Sequence, residues 1–240
     1  MKKTFYSEMA YAFGIVVLAL GTALMEKADF GMSMVVAPAY LLHLKISQYL
    51  PFFSFGMAEY VFQGILLLVM MLVMGRFRGA YLCSFITAVF YGFTLDAMLR
   101  AASLLEGGGI ALRVMFYLLG MIICALGVSL LFHTYIPLEA YEMFVKEMAL
   151  KFGADINKVK TIYDCASCVL AVVMSFVFFG FGVFKGVKLG TIICALINGR
   201  LIGICSKWLE KLFVFSDAVK LRTVFEEGGQ SPTNCWKNGA

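Results

Sequence analysis

The sequence predicts an all-α membrane protein of about six transmembrane helices, arranged as two inverted three-helix repeats, each with a short re-entrant or amphipathic segment. Three observations carry that expectation. The 240 residues are 62% hydrophobic and only 15% charged, against about 45–50% apolar and about 25% charged in ordinary soluble domains. The apolar residues fall in long uncharged runs, and the two halves of the chain resemble each other. One soluble core cannot hide that much apolar surface. Composition therefore excludes a disordered chain and a nucleic-acid binder, and it argues against a soluble enzyme.

A crossing needs about 20 mainly apolar residues. The first run, Met9 to Met25, is uncharged and closes on Glu26, Lys27 and Asp29. Lys2 and Lys3 before it imitate a signal peptide, but no small-x-small cleavage site follows, so it reads as an uncleaved first helix. Phe30 to Leu44 is apolar but shorter; as helix it reaches about 22 Å, against a hydrocarbon thickness of about 30 Å. Pro38 cannot donate a hydrogen bond in a continuing helix, so this segment is expected to be re-entrant or interfacial. Tyr60 to Gly75 spans and ends in Arg76-Phe77-Arg78. Gly79 to Leu95 spans and closes on Asp96 and Arg100; Gly107-Gly108-Gly109 is a turn.

Val114 to Phe132 is a full-length span. The stretch from Thr134 to Lys160 is charged, and Leu138, Tyr141, Phe144, Val145, Met148 and Phe152 recur at helical spacing within it, the pattern of an amphipathic helix. Pro137 suits a first helical turn. Cys165 to Phe184 spans, and Leu189 to Ser206 spans with a single charge, Arg200. Residues 1–206 thus form one polytopic membrane domain, with repeat 1 at about 9–100 and repeat 2 at about 111–206, followed by a loose cytoplasmic tail, 207–240.

The repeat rests on three blocks in the same order. Ala19-Leu20-Gly21 meets Ala125-Leu126-Gly127. Gly79, Leu82, Ile86, Ala88 and Gly92 meet Gly186, Leu189, Ile193, Ala195 and Gly199, and Glu59 falls opposite Asp164. Duplications of this kind recur in transporters. If Phe30–Leu44 and Tyr135–Leu150 do not cross, each half has three crossings and the repeats are inverted. If both cross, the halves are parallel, four plus four. The net charge of +5 and the placement of Lys2, Lys3, Arg76, Arg78, the Lys146–Lys160 loop and Lys207–Arg222 favour three plus three, with both termini cytoplasmic.

Ionisable groups in a bilayer raise a functional hypothesis by default. Glu59 and Asp164 head the middle span of each half; they could bracket a cavity for a cation or proton, or simply complement helix dipoles. Arg200 could bind an anionic solute or snorkel to the interface, and the adjacent Asn198 is a polar contact between helices. Lys160 and Asp164 share a helical face as an ion pair or a gate. Glu139 and Glu142 share another, read as the solvated side of the amphipathic helix or as a cation site, and Asp29 is a further charged candidate at the end of the first helix. Gly199 and Gly203 form a GxxxG unit, for which tight packing is the first explanation. The seven cysteines, Cys83, Cys124, Cys165, Cys168, Cys194, Cys205 and Cys235, lack a disulfide framework. His43 and His133 stand apart, and no phosphate loop, HExxH or GxSxG occurs. No metal, cofactor or enzymatic activity is expected, and the chain contains no ATPase.

The chain resembles the YczE/YyaS/YitT-type bacterial integral membrane proteins over about residues 11–206. The matching residues are Ala19-Leu20-Gly21, Ala28 to Ser33, Ser54-Phe55-Gly56, Pro137 to Tyr141, Lys158 to Asp164, and Gly186 to Thr191 with Gly199. That pattern tends to carry Pro-Arg-Asp where this chain has Pro137-Leu138-Glu139, and Arg-x-x-x-Glu where it has Lys160-x-x-x-Asp164. The resemblance implies a multi-pass protein of the bacterial cytoplasmic membrane and names no substrate. The expected function is a secondary transporter or permease for a small solute. The alternatives are a substrate-binding subunit energised by a partner ATPase, or a membrane scaffold or regulatory protein. The bilayer and a small-molecule solute are the expected partners, with a homodimer also open.

Overall fold

The computed structural model describes residues 3–75, 77, 79–105, 108–154, 156–182 and 187–217. Lys2, Arg76, Arg78, Gly107, Asp155, Phe184, Lys185, Gly186 and everything beyond Asp217, with Cys235, lie outside the described residues. The order is β1 (Lys3–Tyr6), α1 (Ser7–Ala28), α2 (Ala37–Ile46), α3 (Phe55–Met74), α4 (Gly79–Ser103), α5 (Ile110–Phe132), α6 (Ala140–Phe152), α7 (Ile156–Phe179), α8 (Leu189–Leu212) and β2 (Phe213–Ser216).

Six helices, α1, α3, α4, α5, α7 and α8, are long and apolar enough to cross a membrane. Their outward sides carry large apolar residues such as Leu72, Phe93, Val177 and Leu196, all exposed. Such a surface is unfavourable in water and matched in lipid. The chain is a multi-pass membrane protein.

The two short helices lie where the sequence breaks the spans. α2 has 10 residues with Pro38 in its first turn, where the missing N–H bonds nothing anyway. α6 has 13 residues, about 20 Å of helix. Polar contacts sort the ends of most of the helices onto two faces. On one, Asp29 at the end of α1 pairs with Arg113 on α5 and Lys188 before α8. There too Lys45 at the end of α2 donates to the Phe178 carbonyl of α7 at 3.2 Å, and Ser54 before α3 bonds Asp96 of α4. On the opposite face, Tyr135 donates to Glu8, His133 meets Glu210, and Lys151 at the end of α6 donates to the Val73 carbonyl at 2.6 Å. The chain from Asp29 to Ser54 therefore leaves and returns on one face, and that from His133 to Lys151 on the other.

α1 and α5 cross at the centre, brought together by glycines. A Cβ on Gly21 would lie 2.6 Å from the Cys124 amide nitrogen, and one on Gly120 would lie 2.8 Å from the Gly21 carbonyl oxygen. Around this pair the contacts come in matching sets. α1 packs on α4 as α5 packs on α8, α3 on α4 as α7 on α8, and α2 on α3 as α6 on α7. Each short helix also packs on the middle span of the other half, α2 on α7 and α6 on α3. Gly199 and Gly203 have open space beside them, so the GxxxG unit does not pack helices together among the described residues.

Three expectations change. α8 runs to Leu212 and leads into β2, which pairs in parallel with β1 from Lys3↔Phe213 to Tyr6↔Ser216. Residues 207–217 are thus part of the folded domain and not of a loose tail. α7 starts at Ile156, so Lys160 and Asp164 sit inside a spanning helix; a charge satisfied by a partner does not end a helix as an unpaired one would. The charged side of α6 is not solvated: Glu139, Glu142 and Glu147 are all buried.

Candidate functional site

Ser54 begins α3, its hydroxyl accepting from Met57 N at 3.1 Å while Asp96 accepts from Gly56 N at 2.8 Å. An acid bonding the first turn suits a helix N-terminus. Because α3 starts at Phe55, Glu59 and Gln63 stand one and two turns inside it on one face. That face meets α6. Tyr141 donates to Glu59 Oε2 at 2.8 Å, and Gln63 Nε2 lies 3.4 Å from both Glu59 Oε2 and Glu139 Oε2. The Gln63 carbonyl accepts from Ala140 N at 3.1 Å, which satisfies an orphan amide at the start of α6.

The segment leading into α6 is held by α4. Ser84 donates to the Leu138 carbonyl at 2.6 Å, and Thr87 donates to that of Pro137 at 3.0 Å. Pro137 thus lies ahead of the helix, before the N-cap residue Glu139, and not in its first turn. One turn further on α6, Glu142 accepts from Lys160 of α7 at 2.9 Å, and Asp164 lies 3.3 Å from the same ammonium.

Four acids and one cation are gathered here with almost no exposure: Glu59 at 0%, Glu139 at 4%, Glu142 at 8%, Asp164 at 2% and Lys160 at 8%. Glu59 Oε1, Glu139 Oε1 and Glu142 Oε2 have no hydrogen-bond partner among the described residues. Burial pushes the Glu139 carboxyl well above the usual carboxylate range, and the charges of Glu59 and Glu142 push the same way, against Gln63 and Lys160. Burial likewise raises the Tyr141 phenol, leaving it a firm donor to Glu59.

Above Glu59, toward the Asp29 face, a cleft of about 230 Å³ opens between α1, α2, α3 and α4, lined by Glu26, Tyr40, His43, Phe55 and Leu99 among others. Phe55 is buried and lines it, with the Tyr40 ring edge-on at 5.2 Å and the His43 ring stacked at 6.1 Å. Burial pushes the Tyr40 phenol up to about 12, with Glu26 and Asp29 adding. One helical turn separates Phe55 from Glu59.

Glu59, Glu139, Lys160 and Asp164 are thus brought together. Asp29 is not: it is exposed at the end of α1, where it bridges Arg113 and Lys188. Arg200 is exposed on the outer side of α8 and Asn198 is buried on that helix; neither bonds to the acid cluster among the described residues. Gln63, Tyr141 and Glu142 complete the site; Gln63 lies four residues from Glu59 and Glu142 three from Glu139, a spacing readable in the sequence, whereas Tyr141, two from Glu139, carries no such signal. Among the described residues no three His, Cys, Asp or Glu side chains are placed to hold a metal ion.

Residues 5–207 match a family model described only as a family of unknown function, DUF6198. No curated protein and no solved structure matches the chain.

Proposed function

From the premise that the chain belongs to the family of unknown function DUF6198, we propose that it is a secondary transporter or permease for a small solute. The observation that carries this reading is the buried acid cluster, built where α3 of the first half meets α6 and α7 of the second, one turn below an open cleft. Charge is expensive inside a bilayer, and transporters place such groups where two repeats meet.

Alternating access needs two bodies that rock against each other. The matching sets of helix contacts about α1 and α5, with each short helix packed on the other half, support inverted repeats related by an axis in the membrane plane. The shared face of β1 and β2 supports an even number of crossings. With the positive-inside bias it supports termini in the cytoplasm. The YczE-type resemblance supports a bacterial cytoplasmic membrane. In this reading Phe55, Tyr40 and His43 close the outer path, and the chain does no covalent chemistry.

The test is mass spectrometry of small molecules retained by the purified protein, followed by uptake of the hit into proteoliposomes. Uptake that Phe55→Ala accelerates or uncouples supports the reading. Absence of any retained solute, with co-purification of an ATPase, would replace it by a subunit of an energised system.

A further inference from the structure

Glu59 and Glu139 come from different halves and meet at one amide. Gln63 Nε2 lies 3.4 Å from an oxygen of each, and the Gln63 carbonyl is occupied by Ala140 N, which turns the amide nitrogen toward both acids. Glu59 Oε2 is held by Tyr141 and Gln63, and Glu139 Oε2 by Gln63. Each carboxyl has Oε1 buried with no hydrogen-bond partner among the described residues. A buried carboxylate oxygen in that state is costly, and a positive occupant relieves it.

Among the described residues the bonds to these two carboxyls come from neutral donors, Gln63 and Tyr141; Lys160 acts on Glu139 only from a distance. Lys160 on α7 is committed to Glu142 and Asp164, two acids for one ammonium. Tyr91 on α4, Tyr11 on α1 and Cys124 on α5 are within electrostatic reach of Glu139, and Tyr141 on α6 already donates to Glu59. All four are acids that are neutral or negative, never positive. A proton needs a single oxygen and no shell of ligands, and each carboxyl offers one unpartnered oxygen.

We propose that the Glu59–Gln63–Glu139 bridge binds a proton, converting a carboxylate to a carboxylic acid, and that this proton is the coupling ion of the solute cycle. The coupling role rests on the transport reading; the proton site does not. While the bridge is dry, burial holds the proton. When water enters, the carboxylate is rehydrated, and the N-terminus of α6 with Tyr141 and Gln63 stabilises it as an anion. Access of water therefore selects the charge state.

Infrared titration of the purified full-length protein between about pH 5 and about pH 9 reads the carboxylic-acid stretch. The expected result is a buried-acid band that persists near neutrality and fades at the alkaline end, with one component lost in Glu59→Gln and another in Glu139→Gln. Should either variant fold poorly, Gln63→Met keeps both acids and must shift the band. A spectrum identical in wild type and all three variants overturns the site. So does a band displaced by sodium at fixed pH, which would assign the bridge to a metal cation. Loss of the band in the variants with solute uptake absent in the wild type would uphold the site and sink the transport reading; no such band with uptake intact would do the reverse.

Discussion

Lys160 Nζ donates to Glu142 Oε1 at 2.9 Å, tying α7 to α6 across the two middle elements of the second half. The contact is shorter than the 3.3 Å to Asp164 in its own helix. Both partners are about nine-tenths buried.

Removing the ammonium strands two acids. Lys160→Met is expected to cost about 3–5 kcal/mol, seen as a lower melting temperature in detergent. Adding Glu142→Gln and Asp164→Leu should recover most of that loss. A single variant as stable as wild type would show that the acids are already neutral.

The pH dependence of stability has a definite sign at Glu139. Its carboxyl is held above the usual range by burial first and by neighbouring acids second. A group that binds its proton more tightly when folded contributes stability fully below the unfolded value of about 4.3. That contribution is lost as pH rises toward and through the folded value. Melting temperature should therefore fall from mildly acidic to mildly alkaline pH, and Glu139→Gln should flatten the slope. Equal slopes in the two proteins would contradict the assignment.

Close helix approach makes the glycines unequal. Gly21→Ala places a methyl against the backbone of Cys124 and Gly120, which cannot swing aside, and should cost about 1–3 kcal/mol or more. Gly199→Ala meets nothing within 4 Å and should leave the melting temperature unchanged. The pair distinguishes packing glycines from lipid-facing ones in one assay.

Asp29 bridges two cations, yet its side chain is 65% exposed. Exposed pairs are worth about 0–1 kcal/mol and are screened by salt. Asp29→Asn should lower stability slightly at low salt and not at high salt, with solute retention unchanged. A loss of retention would bring Asp29 back into the site.

Reporter fusions test the faces. Gly75 and Lys151 should report one side, and Tyr49 and Gly109 the other, because α2 and α6 return to the face they left. Opposite readings for Gly75 and Lys151 would mean that one short helix crosses.

The six spans were legible because uncharged length is a one-dimensional property, and Pro38 with the shortness of Phe30–Leu44 marked α2. Glu59 was legible as a lone charge beside an apolar run, and Lys160 with Asp164 as opposite charges four residues apart. The azimuth of a helix was not. Periodicity placed Glu139 and Glu142 together, but which face of α6 is covered depends on α3 and α7, distant in sequence. Arg200 shows the converse: deep in its run along the chain, it projects outward. Gln63 escaped notice because an uncharged polar residue in an apolar run gains meaning only from the acids it faces, and Tyr141 because it reads as part of the apolar stripe of α6.

The parallel pairing of β1 with β2 bears on how the protein is made. Ser7 and Ser216, 209 positions apart, are joined at its edge. β1 precedes the eight described helices in the chain, yet its partner strand is synthesised only after α8. Closing so long a loop gains nothing until the intervening helices have already brought the ends together. The strand pair therefore forms only after α8 has been made, and a chain stopped before Phe213 would reach the membrane with the edge of β1 unpaired and open to quality-control proteases.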